Sequence, residues 1–595
     1  MIGTNEREMS NRGPNVIIMS AAGKAIFVRY GREPGDEANE DEWSTACGII
    51  QGLRANVLSF GNSSINGGFD NNRHASSPLG DIQSIKAGKR LVVFKHTDAL
   101  TFVSISDRKD GYHNEAWLRL QLEYVYSQVV FTLTSQVQSI FDRCPGYDLR
   151  SMMGSNVNDS IRNLLDRFDP SVDDSDCDDS GSGCGCFLTA GIECVHPIPI
   201  EIREDASKML LNSCGRSNTN DLFAMLVVGS RLVTIVQPAN PSSQLHTSDL
   251  HLILTFVGCQ TGLLTNELWF PLCLPRFDSS GFLYAYTLCL DPNDTGLSFV
   301  MISPDNSTEQ FQSFREAANM VRKRLGLPTV KSKVLRVFNS SSPSNVSTQS
   351  DIDNGIGFAQ EINEFVKRLS ISTYLENSFD KDADEDDKRA HEAPLLTALH
   401  AALSAKSQEE MMASYLRIAS AVHFCFRCDI YVNNAQSSGG VTPTTGSMLT
   451  QCFGPSLTFP FTDASSKSHV WDIYQRLALR LRLGSASVET TMEALDTISD
   501  TSYHQNQYKK GACGISNECP MQLLLESPPK EHSVTYVVDE DYLHVGLNGK
   551  FFELYATLPA TIPPKTGTAL CARLVKSLMG DERILFLSNP ITWGS

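Results

Sequence analysis

Residues 267–286 read Glu-Leu-Trp-Phe-Pro-Leu-Cys-Leu-Pro-Arg-Phe-Asp-Ser-Ser-Gly-Phe-Leu-Tyr-Ala-Tyr. An aromatic-rich strand runs into proline, a polar turn with Gly281 follows, and a second strand begins. The pattern predicts a β-hairpin with one buried face. Trp269, Pro271 and Phe277 read as residues that hold it together. No acid/base pair accompanies the hairpin, so function is sought on surfaces.

Working outward, residues 222–228 and 232–237 predict a preceding hairpin, and 248–259 a helix with Ser248 as N-cap. After the hairpin come a strand at 297–303 and a helix at 309–325 whose last turn carries Arg322, Lys323 and Arg324, cations that suit its dipole. The order is β-β-α-β-β-β-α. The same order is predicted nearer the N-terminus. There, strands at 16–20 and 25–30 flank a tight turn, Ala21-Ala22-Gly23-Lys24. A helix follows at 43–60, then strands at 82–86, 90–95 and 100–106, then a long helix from 115 to 141.

The chain has 595 residues, 41% of them apolar, and a net charge of −18. That length implies several cores. The acidity argues against general nucleic-acid binding. Sixteen cysteines, a polar start and no apolar run of membrane-spanning length predict reduced thiols and a cytoplasmic protein. The predicted domains are 1–168, 192–328 and 355–595. An acidic linker at 169–191, read as disordered, and a Ser-rich linker at 329–354 separate them. The third region predicts helices at 358–369, 470–483 and 568–578 and strands at 533–538, 542–547, 551–558 and 584–587. It is read as expanded by insertions near 379–460, with helices at 395–403 and 409–418, and near 484–529. The fold class is thus α+β within α/β: three domains, each an antiparallel five-stranded sheet flanked by helices.

An ordered set of segments resembles the SAND family, the Mon-one vacuolar fusion proteins. It comprises Ser20-Ala-Ala-Gly-Lys-Ala-Ile-Phe-Val-Arg-Tyr-Gly31, Ile82-Gln-Ser-Ile-Lys-Ala-Gly88, Gln121-Leu-Glu-Tyr-Val-Tyr126 and Tyr147-Asp-Leu-Arg150. It continues with Ser248-Asp-Leu-His-Leu252, the 267–286 hairpin, Phe551-Phe-Glu-Leu-Tyr555 and Asn589-Pro-Ile-Thr-Trp593. The resemblance implies three longin domains. It also implies a partner, a second tri-longin subunit of the Ccz-one type. The pair would be a guanine nucleotide exchange factor for a late-endosomal Rab GTPase of the Rab-seven type, recruited peripherally to phosphoinositide-containing endosomal or vacuolar membrane. The alternative is a longin adaptor or tether that binds a GTPase without exchange. Neither reading needs a cofactor, a metal or covalent catalysis.

Three groups are candidate binding residues. Ala22, Gly23 and Lys24 form a Rab-binding turn or a plain hairpin turn. Cys47, Gly48 and Gln51 face a partner subunit or the core; Gly48 costs about 1 kcal/mol in a helix, which close packing would explain. Arg322, Lys323 and Arg324 contact phosphoinositide headgroups or form a solvated helix end. Cys177, Cys184, Cys186 and Cys194 lie close in sequence but lack Cys-x-x-Cys spacing, so reduced thiols are expected. Cys425-Phe-Arg-Cys428 has that spacing without a second pair and reads as core thiols.

Overall fold

The structure, a computed structural model, describes residues 15–20, 22–29, 40–63, 82–88, 90–97, 99–107, 115–134, 140, 143–144, 147–169, 183–214, 223–240, 243–259, 267–292, 294–327, 394–431, 448–455, 457, 460–483, 520–526, 533–588 and 590–593. The chain opens with β1 (Asn15–Ser20), β2 (Ala25–Val28), α1 (Glu40–Ser63), β3 (Ser84–Ala87), β4 (Arg90–His96), β5 (Leu100–Asp107), α2 (Glu115–Leu133), α3 (Arg150–Phe168) and α4 (Gly183–Thr189). It continues with β6 (Ile192–Glu193), α5 (Ile200–Cys214), β7 (Phe223–Val228), β8 (Arg231–Pro238), α6 (Thr247–Gly258), β9 (Leu268–Leu274), α7 (Pro275–Asp278), β10 (Ser279–Cys289), β11 (Leu297–Ser303) and α8 (Thr308–Arg324). The remainder is α9 (Pro394–Leu403), α10 (Ala405–Ala419), β12 (His423–Tyr431), β13 (Met448–Phe453), α11 (Ala464–Leu483), α12 (Pro520–Glu526), β14 (Val534–Val538), β15 (Tyr542–Gly549), β16 (Phe552–Pro559), α13 (Pro564–Gly580), α14 (Glu582–Leu585) and β17 (Ile591–Trp593).

Three sheets result, with strand orders β2-β1-β5-β4-β3, β17-β8-β7-β11-β10-β9 and β14-β15-β16-β12-β13-β6. Numbered within its own segment, each contains the order 2-1-5-4-3. The first sheet has the expected five strands; the second and third each carry a sixth, beside the segment's second strand.

Two compact units divide the chain. One holds residues 1–190, 272–282 and 456–530; the other holds 191–271, 283–455 and 531–595. In the first unit, α1 covers one sheet face, with Cys47 packed among Ile17, Met19, Val28, Phe94 and Val103. Helices α2 and α3 cover the other. This two-sided burial explains why β1 and β2 are continuously apolar rather than alternating. Arg29, buried just after β2, bonds Asp166 and Asp169 at the end of α3 at 2.9 and 3.2 Å. Helices α7 and α12 pack on α2, and Arg276 reaches Glu526 at 3.3 Å.

In the second unit, the second and third sheets are tied by an exchange of edge strands. β6 lies parallel to β13, with Ile192 opposite Gln451 and Glu193 opposite Cys452. One residue later, Cys194 bridges to Leu232 of β8 in the other sheet. In return, β17 lies parallel to β8, with Ile591 opposite Val236 and Trp593 opposite Pro238. The second core gathers α5, α8 and α9 on its sheet, while the third gathers α10 and α13.

Several expectations change. The 267–286 hairpin turns at α7, residues 275–278, and Gly281 lies inside β10. The N-cap of α6 is His246, whose ring accepts from the Ser248 amide. The apolar run 584–587 is no strand: α14 covers 582–585, and the last strand is β17. The stretch read as an insertion near 379–460 holds β12 and β13, and α9 belongs to the second core. Within the linker region, residues 183–189 are helical; 170–182 and the helix expected at 358–369 lie outside the described residues.

Candidate functional site

The turn between β1 and β2 is built by its backbone. The Gly23 amide donates to the Ser20 carbonyl at 2.9 Å, and the Ser20 amide donates to the Lys24 carbonyl at 2.9 Å. Ser20 Oγ accepts from the Lys24 amide at 3.1 Å. Gly23 sits at φ +84°, where a side chain is strained, and a Cβ there would stand 2.7 Å from Gln51 Oε1. The positive φ of the turn is what favours glycine here; the Gln51 side chain beside it could swing aside to admit a Cβ.

Lys24 Nζ donates to Asp148 Oδ2 at 2.7 Å, and both side chains are about 40% exposed (40% and 41%). Asp148 also receives Arg150, whose Nε lies 3.0 Å from Oδ1 and Nη2 2.9 Å from Oδ2. The Arg150 guanidinium, helped by Lys24, holds the Asp148 carboxyl well below the usual range. The turn is closed by these hydrogen bonds, and Lys24 is directed toward Asp148 while still reaching solvent.

Helix α1 has two characters. Cys47 is fully buried, and burial pushes its thiol up to about 11, so it is a packing residue without thiolate chemistry. Gly48 is exposed, and an added Cβ would meet nothing within 4 Å; the same holds for Gly52, one turn on. The expected packing reason for Gly48 does not exist within the described chain. Beside these glycines, Ile49 is 60% exposed and Leu53 44% exposed. Helical spacing puts Gly48, Ile49, Gly52 and Leu53 on the side opposite Cys47. The structure thus joins Gly23 to Gln51 and separates Cys47, which faces inward, from Gly48, which faces out.

The sequence reading missed Ile49, Gly52, Leu53, Asp148 and Arg150. A helix with apolar residues on both faces was the available signal for the first three.

At the end of α8, Arg322 is 4% exposed, and its guanidinium donates to the carbonyls of Cys289 (2.9 Å) and Leu290 (3.3 Å). It closes the β10–β11 turn and offers no charge to a membrane, which corrects its grouping with its neighbours. Lys323 and Arg324 are exposed, and Arg324 donates to the Met209 carbonyl at 3.3 Å. Cys186, Cys194, Cys425 and Cys428 are buried and not joined in disulfides; Cys177 lies outside the described residues.

Residues 14–164 match the model of the first longin domain of FUZ, MON1 and HPS1, and residues 219–322 that of the second. The protein is therefore a longin-domain protein. Among curated relatives, it is similar to protein SAND of Takifugu rubripes, 28% identical over 54% of this chain and 53% of that protein. It is similar to the human vacuolar fusion protein MON1 homolog A, at 27% over 52% and 40%. It is also similar to human MON1 homolog B, at 30% over 48% and 45%. The chain spans about half the length of the curated relatives it matches. These matches make the chain similar to the SAND/MON1 proteins over its longin-domain region.

Proposed function

We propose that this protein is one half of a heterodimeric guanine nucleotide exchange factor for a late-endosomal Rab GTPase, acting in endosome maturation and vacuolar or lysosomal fusion. The observation that carries the reading is the outward face of α1, Gly48-Ile49 and Gly52-Leu53, lying next to the hydrogen-bonded Gly23 turn. Two exposed glycines one turn apart let another backbone come close, and the two aliphatic side chains supply apolar area. On this reading the face seats a second tri-longin subunit of the Ccz-one type, and Ala22-Gly23-Lys24 meets the GTPase. The third sheet, which repeats the strand order of the two matched domains, is read as a third longin domain.

Exchange needs no bond-making chemistry. The factor binds the empty GTPase better than the loaded one, and the coupling is reciprocal. Each tenfold weakening of nucleotide requires about 1.4 kcal/mol of differential binding. A hydrogen-bonded turn suits displacement of a switch loop, because its backbone is already ordered before the loop is met. No helix among the described residues is long and apolar enough to cross a membrane. Peripheral recruitment would draw on Lys323 and Arg324, at about 1 kcal/mol each near an anionic surface.

The test is release of fluorescent GDP from a panel of Rabs by the chain co-purified with its partner subunit. Acceleration on one Rab supports exchange. Stable binding without release supports the adaptor reading.

A further inference from the structure

The three sheets end on topologically equivalent edge strands, β3, β9 and β14. An open edge presents unpaired backbone groups, and proteins guard it with short length, lysine or proline. β3 is four residues long and carries exposed Lys86. β9 carries exposed Pro271, which lacks an amide donor. β14 reads Val-Thr-Tyr-Val-Val and has neither guard.

The face of β14 is also uncovered. Val534, Tyr536 and Val538 are 49%, 52% and 52% exposed. They pair with Leu547, Val545 and Leu543 of β15, and Val545 and Leu543 are fully buried in the third core. α13 lies over β15 and β16, with Gly567 letting it close onto Leu543. The helical layer stops one strand short, so the core face runs out into solvent along β14.

The end of this strip carries charge. In the β14–β15 turn, Asp539 is committed: its Oδ1 accepts from the Asp541 amide at 3.0 Å and its Oδ2 faces His544 Nε2 at 2.9 Å. Glu540 and Asp541 stand exposed beside it. A segment lying along β14 would therefore meet apolar area along its length and negative charge at one end.

We propose that β14 is a docking edge for an extended segment of another protein, one that adds as a strand, alternates apolar side chains and ends in lysine or arginine beside Glu540 and Asp541. Backbone hydrogen bonds supply affinity, the Val534–Tyr536–Val538 strip selects apolar side chains, and the acidic turn sets direction. The matching strand of the first sheet carries the guard that β14 lacks: an exposed lysine on a four-residue strand.

The experiment uses the full chain and a fluorescein-labelled probe peptide of alternating threonine and valine ending in two lysines, read by anisotropy. The native chain binds the probe. Y536K, which copies the guard of β3, weakens binding at least tenfold while keeping the melting temperature. A probe N-methylated at alternate amides, which leaves the protein untouched, loses binding. The double variant E540K/D541K weakens the lysine-ended probe about fivefold and favours a glutamate-ended one. The proposal is overturned if the native chain fails to bind, or if Y536K or the N-methylated probe binds as before. It is equally overturned if sedimentation shows a dimer of this chain that Y536K dissolves, since the edge would then serve self-pairing.

Discussion

The first and third sheets share one strand order and place charge and apolar surface differently around it. In the first, the outward face of α1 is apolar and open, and the ion pairs near the Gly23 turn reach solvent. In the third, charge is sealed inside: Arg427, Asp429 and Glu553 are at most 4% exposed, with Arg427 Nε 2.8 Å from Asp429 and Nη1 4.0 Å from Glu553. The third sheet is further pinned by β6, the strand it receives from the start of the 192–328 segment. Each region also seals an ion pair, Arg29–Asp169 in the first and Arg427–Asp429 in the third, so the contrast lies in where apolar surface is left open: on the helix face of α1 in one and along the edge strand β14 in the other. What differs is which residues line the faces and whether a neighbour closes the edge.

The sharpest way to break the contrast is to remove one cation from each region. Arg427→Ala leaves two carboxylates buried without their partner and is expected to cost about 3–5 kcal/mol, read by urea unfolding of the second unit. Lys24→Ala removes an exposed pair and should cost at most about 1 kcal/mol. Comparable losses would mean that the two regions are equally sealed. The strand exchange gives the next effect. Trp593 of β17 is partly buried against the second core, so Trp593→Ala should destabilise by about 2 kcal/mol. If the exchange locks the two sheets together, hydrogen exchange should also rise in β12 and β13, although the substitution lies in the other sheet. Faster exchange in β7 and β8 alone would show the sheets to be independent.

Acid should separate the units as well. Burial, with the charges of Arg231 and Arg203, holds His196 neutral down to about 3; burial holds His423 neutral down to about 4. Both lie in the second unit. A histidine depressed in the folded state binds its proton only after unfolding. Its stabilisation is therefore present above the unfolded value near 6.5 and lost as pH falls toward the folded value. Each histidine should remove about 1.4 kcal/mol per pH unit between roughly 6.5 and 4. His423→Gln should flatten that slope in the second unit's melting curve. An unchanged slope would show that this ring already carries a proton.

Much of this architecture is legible in sequence where burial follows a simple period. The hairpins at β1–β2 and β7–β8, and the β14–β16 meander, stand out as apolar runs between turn residues. β12 does not, because both its faces are buried: Phe424, Phe426, Cys428 and Ile430 join the core, while Arg427 and Asp429 are buried as a charge pair on the other side. Charges inside a strand pattern read as a loop when the partner carboxylate, Glu553, is more than a hundred residues away. The run at 584–587 misleads for the opposite reason: four apolar residues fit a strand or a helical turn equally. At the candidate site, the Gly23 turn was legible from local chemistry. The outward face of α1 was not, because Cys47 and Ile49 are both apolar and only the fold decides which one meets water.

The smallest stability effect is also the most diagnostic. Gly48→Ala should raise stability by about 1 kcal/mol, because glycine is poor in a helix and the new methyl meets nothing in the described chain. A purely structural α1 would gain from the change with no loss elsewhere. If the face seats a second subunit by close backbone approach, the same methyl holds the two apart. Co-purification of the partner should then fall at least tenfold while the melting temperature of the isolated chain rises. Ile49→Ala separates the two causes, since it removes apolar area without adding bulk and should weaken the partner less than Gly48→Ala does. A Gly48→Ala chain that is more stable and still pairs fully would remove α1 from the interface, leaving the Gly23 turn to carry the GTPase reading alone.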